Sequence, residues 1–102
     1  MSWDLLDTFD EAKRIRSVVD ARALPPGVVD YGLSFGEDAT GDPSVTVWLV
    51  VEDDSNPTDE QMKPVVQFVR SLKDALLEAR LRHWPYVRFV HRSEAGRYLT
   101  RE

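Results

Sequence analysis

Residues 28–52 read VVDYGLSFGEDATGDPSVTVWLVVE. Val29, Tyr31, Leu33 and Phe35 alternate with Asp30, Gly32 and Ser34, and Val45, Val47, Leu49 and Val51 alternate with Thr46 and Trp48. A period of two over such lengths marks strands that bury one face. The segment from Glu37 to Pro43 contains Gly41-Asp42-Pro43, turn chemistry at a hairpin-like length, which predicts an antiparallel pair. If residue 36 faces residue 44, partners sum to 80. That register places the apolar residues of both strands on one face and opposes Ser34/Thr46, Gly32/Trp48, Asp30/Val50 and Val28/Glu52 on the other. Trp48 then covers Gly32 as an aromatic over a glycine.

On either side of the hairpin the period changes to that of a helix. From about 4 to 23, Leu5, Phe9, Ala12, Ile15 and Val19 recur at spacings of three and four, which predicts one buried helical stripe. Ser2 or Asp4 is a candidate cap, and Thr8-Phe9-Asp10-Glu11 is a second candidate start, as a capping box. Pro25-Pro26-Gly27 ends this helix. Met62, Val65, Val69, Leu72, Leu76 and Ala79 predict a second helix over about 58–82, with Thr58-Asp59-Glu60-Gln61 as its capping box. Pro64 removes a backbone donor, so a separate first turn or a kink is expected there. Trp84-Pro85 stops the helix, Tyr86 to Val90 reads as a third strand, and Ser93 caps a short helix through Leu99. The order α-β-β-α-β-α describes one α+β domain over 1–102, a two-layer sandwich with two main helices on one face of a three-stranded sheet. The place of the third strand in the sheet is left open.

Composition bounds the function. The chain has 102 residues, 42% hydrophobic, with no cysteine, so neither a disulfide scaffold nor a thiol nucleophile is available. No apolar run approaches the roughly 20 residues of a membrane helix. The acidic start Met-Ser-Trp-Asp lacks the basic region of a signal peptide, so a cytoplasmic protein is expected. Charge is divided along the chain: residues 1–61 carry 4 basic and 14 acidic side chains, residues 62–102 carry 9 basic and 4 acidic, and the net is -5. Such a division bears on partners and solubility rather than on fold.

Asp30, Glu52, Asp53 and Asp54 gather at a strand end and define a divalent-cation or metal-dependent enzyme alternative, since hard cations require clustered oxygens. The plainer reading is a solvated strand end before a helix. Glu37, Asp38 and Asp42 lie roughly 26 Å away along the strand, at about 3.3 Å per residue, and cannot join that site. His83 and His91 lack metal-pair spacing, the glycines form no phosphate loop, and no G-x-S-x-G is present. No cofactor and no catalytic residue are implied. Arg80, Arg82, Arg88, Arg92, Arg97 and Arg101, interleaved with Trp84, Tyr86, Phe89 and Tyr98, define a further alternative, nucleic-acid binding. The acidic half opposes it, and the G-x-x-G clamp of KH-type RNA-binding domains is missing. These arginines are then expected to pair with the acids of the same fold.

The motif Gly41-Asp42-Pro43-x-Val45-x-Val47-Trp48-x-Val50-Val51-x-Asp53-Asp54, with Trp84-Pro85-Tyr86-Val87-Arg88-Phe89 and Ser93-Glu94, resembles an uncharacterised group of small bacterial α+β proteins. The resemblance implies a toxin-antitoxin-like gene pair and hence a protein partner, with no catalytic residues to carry over. The element order also resembles the cytoplasmic C-terminal domain of cation diffusion facilitators, a dimerisation module, whose metal-ligand histidines have no counterpart here.

The remaining candidate is the outer sheet face. With Val87 and Phe89 turned to the core, Tyr86, Arg88, Val90 and Arg92 join Val28, Asp30, Trp48, Val50 and Glu52 outside, a mixture of aromatic, arginine and apolar groups typical of interfaces. The alternative is that the helix from Ser93 to Leu99 folds over that face. The sequence therefore predicts a non-catalytic protein-protein interaction module, a homodimer or the acidic antitoxin-like subunit of a two-protein system, with nucleic acid and membrane unlikely as partners.

Overall fold

The computed structural model describes residues 2–53 and 58–98, with side chains from residue 9 to residue 96 within those ranges. Two helices and three strands follow in the order α1 (Ser2–Asp20), β1 (Val28–Glu37), β2 (Pro43–Val51), α2 (Asp59–Glu78) and β3 (Trp84–His91). A 3-10 turn (Arg92–Glu94) and a single helical turn, α3 (Ala95–Tyr98), come after them. This is the α+β arrangement that the alternating periods predict.

β1 and β2 pair antiparallel on the expected register, from Tyr31 opposite Leu49 to Gly36 opposite Ser44, with Trp48 opposite Gly32. The connecting loop is organised by Asp38. Its Oδ1 accepts the N–H groups of Thr40 and Asp42, each at 3.0 Å, and the Thr40 hydroxyl at 2.7 Å. Gly41 closes the loop at φ 84°, where a side chain would be strained. The register shifts between Val28 and Asp30, so Val28 faces Val51 and not Glu52. The extra residue, Val29, is the exposed member of this β-bulge, and Val28 turns into the core.

α2 starts as its capping box requires: Thr58 Oγ1 accepts from Gln61 N at 3.3 Å and Gln61 Oε1 accepts from Thr58 N at 2.9 Å. The helix runs unbroken through Pro64, so no separate first turn forms. Val65, Phe68, Leu72 and Leu76 are its buried residues. Phe68 thus joins the expected stripe, while Met62, Val69 and Ala79 are half-buried on its margins. Arg80 leaves the helix with φ 54°, a left-handed cap that favours glycine.

Because α2 returns the chain to the starting end of β2, β3 pairs with β2 in parallel, from Ser44 opposite Trp84 to Val51 opposite His91. The sheet order is β1-β2-β3, so β2 is central and β3 is an edge. α1 and α2 lie side by side. The Arg22 guanidinium joins them, donating to Val18 O at 2.9 Å and Ser71 Oγ at 3.2 Å, and Arg14 donates to Ala79 O. Ile15, Val19, Leu33, Val45, Val47, Leu49, Leu72 and Leu76 form the centre of the core between helices and sheet.

α1 departs from its predicted stripe. Ala12, Ile15 and Val19 are buried, but Phe9 is exposed with the Lys13 ammonium 5.7 Å from its ring centroid. The buried face is rotated toward Glu11, which is 3% exposed. Glu11 therefore lies well inside α1 and does not close a capping box with Thr8. The side chain of Leu5 lies outside the described residues.

Candidate association surface

The acidic strand end is consumed by the fold. Asp53 Oδ1 accepts the Ser93 N–H at 2.9 Å, and Arg92 Nη1 lies 3.0 Å from Glu52 Oε1. Asp30 Oδ1 accepts the Tyr31 N–H at 2.8 Å. Asp54, the fourth acid of the cation alternative, lies outside the described residues. Among the described residues no group of three or more His, Asp and Glu side chains is placed to hold a metal ion. The Ser93 N–H pulls the Asp53 carboxyl below the ordinary aspartate range. Ser93 lies inside the 3-10 turn Arg92–Glu94, whose cap position is His91.

A second polar centre, read from sequence only as a helix start, joins α1 to the turn before β3. Glu11 Oε2 accepts Arg82 N at 2.6 Å, and Oε1 accepts His83 N at 3.3 Å and lies 2.7 Å from His83 Nδ1. The His83 ring meets Phe35 edge-on at 5.0 Å. These partners belong to two consecutive residues, Arg82 and His83, so the carboxylate docks α1 on that turn. A carboxylate on a helix face otherwise lined with apolar residues is the only sequence signal for it.

The predicted outer-face residues separate into two groups. Val28 belongs to the core cluster, and Val50 and Val90, opposite each other across β2 and β3, are buried at 3% and 6% exposure. The chain after His91 turns back at this end, where Arg92 and Ala95 share a hollow with Val29, Asp30 and Val50. Arg92 is held there by Glu52. These residues do not form an open apolar patch. Leu99, the end of the expected covering helix, lies outside the described residues. At the other end of the same face Trp48 and Tyr86 are half-buried and Arg88 is exposed. Trp48 Nε1 donates to Ser34 Oγ at 2.8 Å, Tyr86 donates to Asp38 Oδ2 at 3.3 Å, and Arg88 sits 5.9 Å from the Tyr86 ring centroid. Polar ties inside the chain thus occupy what is left of the predicted patch.

The larger apolar exposure lies elsewhere, at the free edge of β3. Phe89 faces the helix side, as its position opposite Leu49 requires, yet the edge leaves it 44% exposed. Val66 and Leu77, on α2, are 43% and 46% exposed. Eleven residues separate them, so at about 100° per residue they share one flank of the helix. Ser71, which meets α1, lies on a different side. Phe89 lines a mostly apolar hollow of about 240 Å³ with Met62, Val65 and His91, and Met62 and Val66 line the adjoining hollow with Asp59 and Arg70. Phe89, Met62 and Val66 are therefore contiguous. The sequence gives Phe89 its inward direction, but its exposure follows from β3 being an edge.

No protein-family model, curated protein or solved structure matches the chain. No helix among the described residues is long and apolar enough to cross a membrane.

Proposed function

We propose that the chain is a non-catalytic protein-protein association module and that its docking surface is the free edge of β3 with the adjoining flank of α2. The observation that supports this reading is the adjacency of exposed Phe89 and Val66 beside an edge strand. An unpaired strand edge offers a row of N–H and C=O groups to another chain, and exposed apolar side chains next to it add the area that association needs. The outer-face residues Trp48, Tyr86 and Arg88 then border the surface and do not centre it.

A second reading, an antitoxin-like subunit for a basic partner protein, is favoured by the net charge of -5, since opposite charge speeds encounter. Both readings use the same edge. Light scattering on the purified chain, and co-purification with a basic protein encoded beside it, test them together with Phe89→Ser. Loss of association in this variant, with its thermal midpoint retained, is the expected result. Association that persists unchanged in both assays would remove the β3 edge as the docking surface.

A further inference from the structure

We infer that the occupant of the β3 edge is a second copy of this chain, related by a two-fold axis that passes normal to the sheet through Phe89 and beside Val66. This inference rests on the reading of that edge as a docking surface. It follows from two independent self-complementary patterns that one operator satisfies.

The first is in the strand. Pro85 has no N–H, and on an edge strand a proline is accommodated with its nitrogen turned away from the neighbouring strand. Residues of like parity share a direction, so Val87, Phe89 and His91 present their N–H and C=O groups outward. Antiparallel pairing centred on Phe89 sets Phe89 against its own copy and Val87 against the copy's His91. Two three-stranded sheets then become one continuous sheet of about six strands, a usual size for sheets. Arg88 falls opposite Val90 of the copy, so no arginine meets an arginine.

The second pattern is in α2. Its exposed flank carries Asp59, then Met62 and Val66, then Arg70 and Lys73 from the N-terminal end; Lys63, which also lines this hollow, is paired with Glu60 at 3.0 Å. A two-fold at Val66 reverses the helix against itself. Val66 meets its copy, Met62 meets the copy's Arg70 stem, and Asp59 meets the copy's Lys73. Among the described residues Asp59, Arg70 and Lys73 form no ion pair. An apolar centre with opposite charges at the rim is the composition of a specific interface, and a two-fold contact requires such self-complementarity.

The axes coincide because of the crossover. β3 is parallel to β2, so α2 runs against β3, and Phe89 lies beside Met62 near the start of α2. An axis through Phe89 therefore crosses α2 at the Met62–Val66 turn, where the charge pattern independently puts it.

The test is the solution mass across a concentration series, for the native chain and for Asp59→Lys, Lys73→Asp, the two combined, and Phe89→Ser. The expected native mass is twice 11.7 kDa. Each single charge reversal places like charges at both symmetric contacts and is expected to weaken the dimer about three- to tenfold. The combined reversal restores opposite charges and is expected to recover native affinity. Phe89→Ser is expected to give a monomer with an unchanged far-ultraviolet spectrum. A native chain that stays monomeric at every concentration overturns the second copy as occupant, and if it binds a basic protein through Phe89 the association reading itself stands. A dimer that Phe89→Ser leaves intact overturns both. A dimer that Phe89→Ser abolishes but the combined reversal fails to restore overturns the two-fold arrangement.

Discussion

Replacing Glu11 with Gln exchanges one carboxylate oxygen for an NH₂ group in a buried site and tests what holds α1 to the turn before β3. The carboxylate receives Arg82 N–H at 2.6 Å on one oxygen, and His83 N–H at 3.3 Å and the His83 ring at 2.7 Å on the other. A glutamine amide offers one oxygen and one NH₂ group. Whichever way it turns, a donor faces a backbone donor, and at least one N–H loses its acceptor. An orphaned buried group costs about 1–3 kcal/mol, and losing the charge assistance of the remaining bonds adds about 1 kcal/mol. The sum is about 2–4 kcal/mol, a large share of the roughly 5–15 kcal/mol that holds a domain of this size. For about 100 residues that is a fall in melting temperature of some 8–25 °C. Urea unfolding followed by tryptophan fluorescence checks it, with the slope unchanged and the midpoint lowered. His83→Ala removes the ring bond and leaves both backbone bonds, so its effect is expected to be the smaller. A Glu11→Gln variant within about 0.5 kcal/mol of the native chain would refute the argument.

Two further predictions follow from the caps and loops. Arg80 sits at φ 54° just past α2, so Arg80→Gly is expected to stabilise by about 0.5–1 kcal/mol by removing a left-handed strain, read as a raised denaturation midpoint. The Asp38 carboxyl is held low chiefly by the Thr40 hydroxyl, and that of Asp53 chiefly by the Ser93 N–H. A depressed folded value means that the stabilisation is fully present above the unfolded value and is lost as pH falls through the folded one. The amide resonances of Asp42 and Ser93 are therefore expected to titrate with midpoints below 3.8, the ordinary aspartate value; midpoints at or above it would show that these bonds do not favour the charged carboxylates.

The hairpin was legible because its information is local: a period of two on each side of a turn sets the register, and Trp48 meets Gly32 as the sum rule demands. The bulge at Val29 was not, since two adjacent valines give no sign of which one turns inward. Glu11 was misread because its acceptor role depends on where residues 82 and 83 arrive, and no pattern within α1 carries that. The outer face failed for a similar reason. Val50 alternates outward correctly, but the segment after His91, tied down by Asp53 and Glu52, brings Arg92 and Ala95 beside it. The parallel placement of β3 follows from the length of α2, yet a single chain does not say on which side of β2 it lands. The exposure of Phe89 is a consequence of that placement.

The Glu11 bonds also bear on the order in which the fold is made. The donors to this carboxylate lie 71 and 72 residues further along the chain. Both backbone donors lie near the other end of the sequence, so α1 gains this anchor only once the turn before β3 has formed, and local contacts of α1 alone cannot supply it.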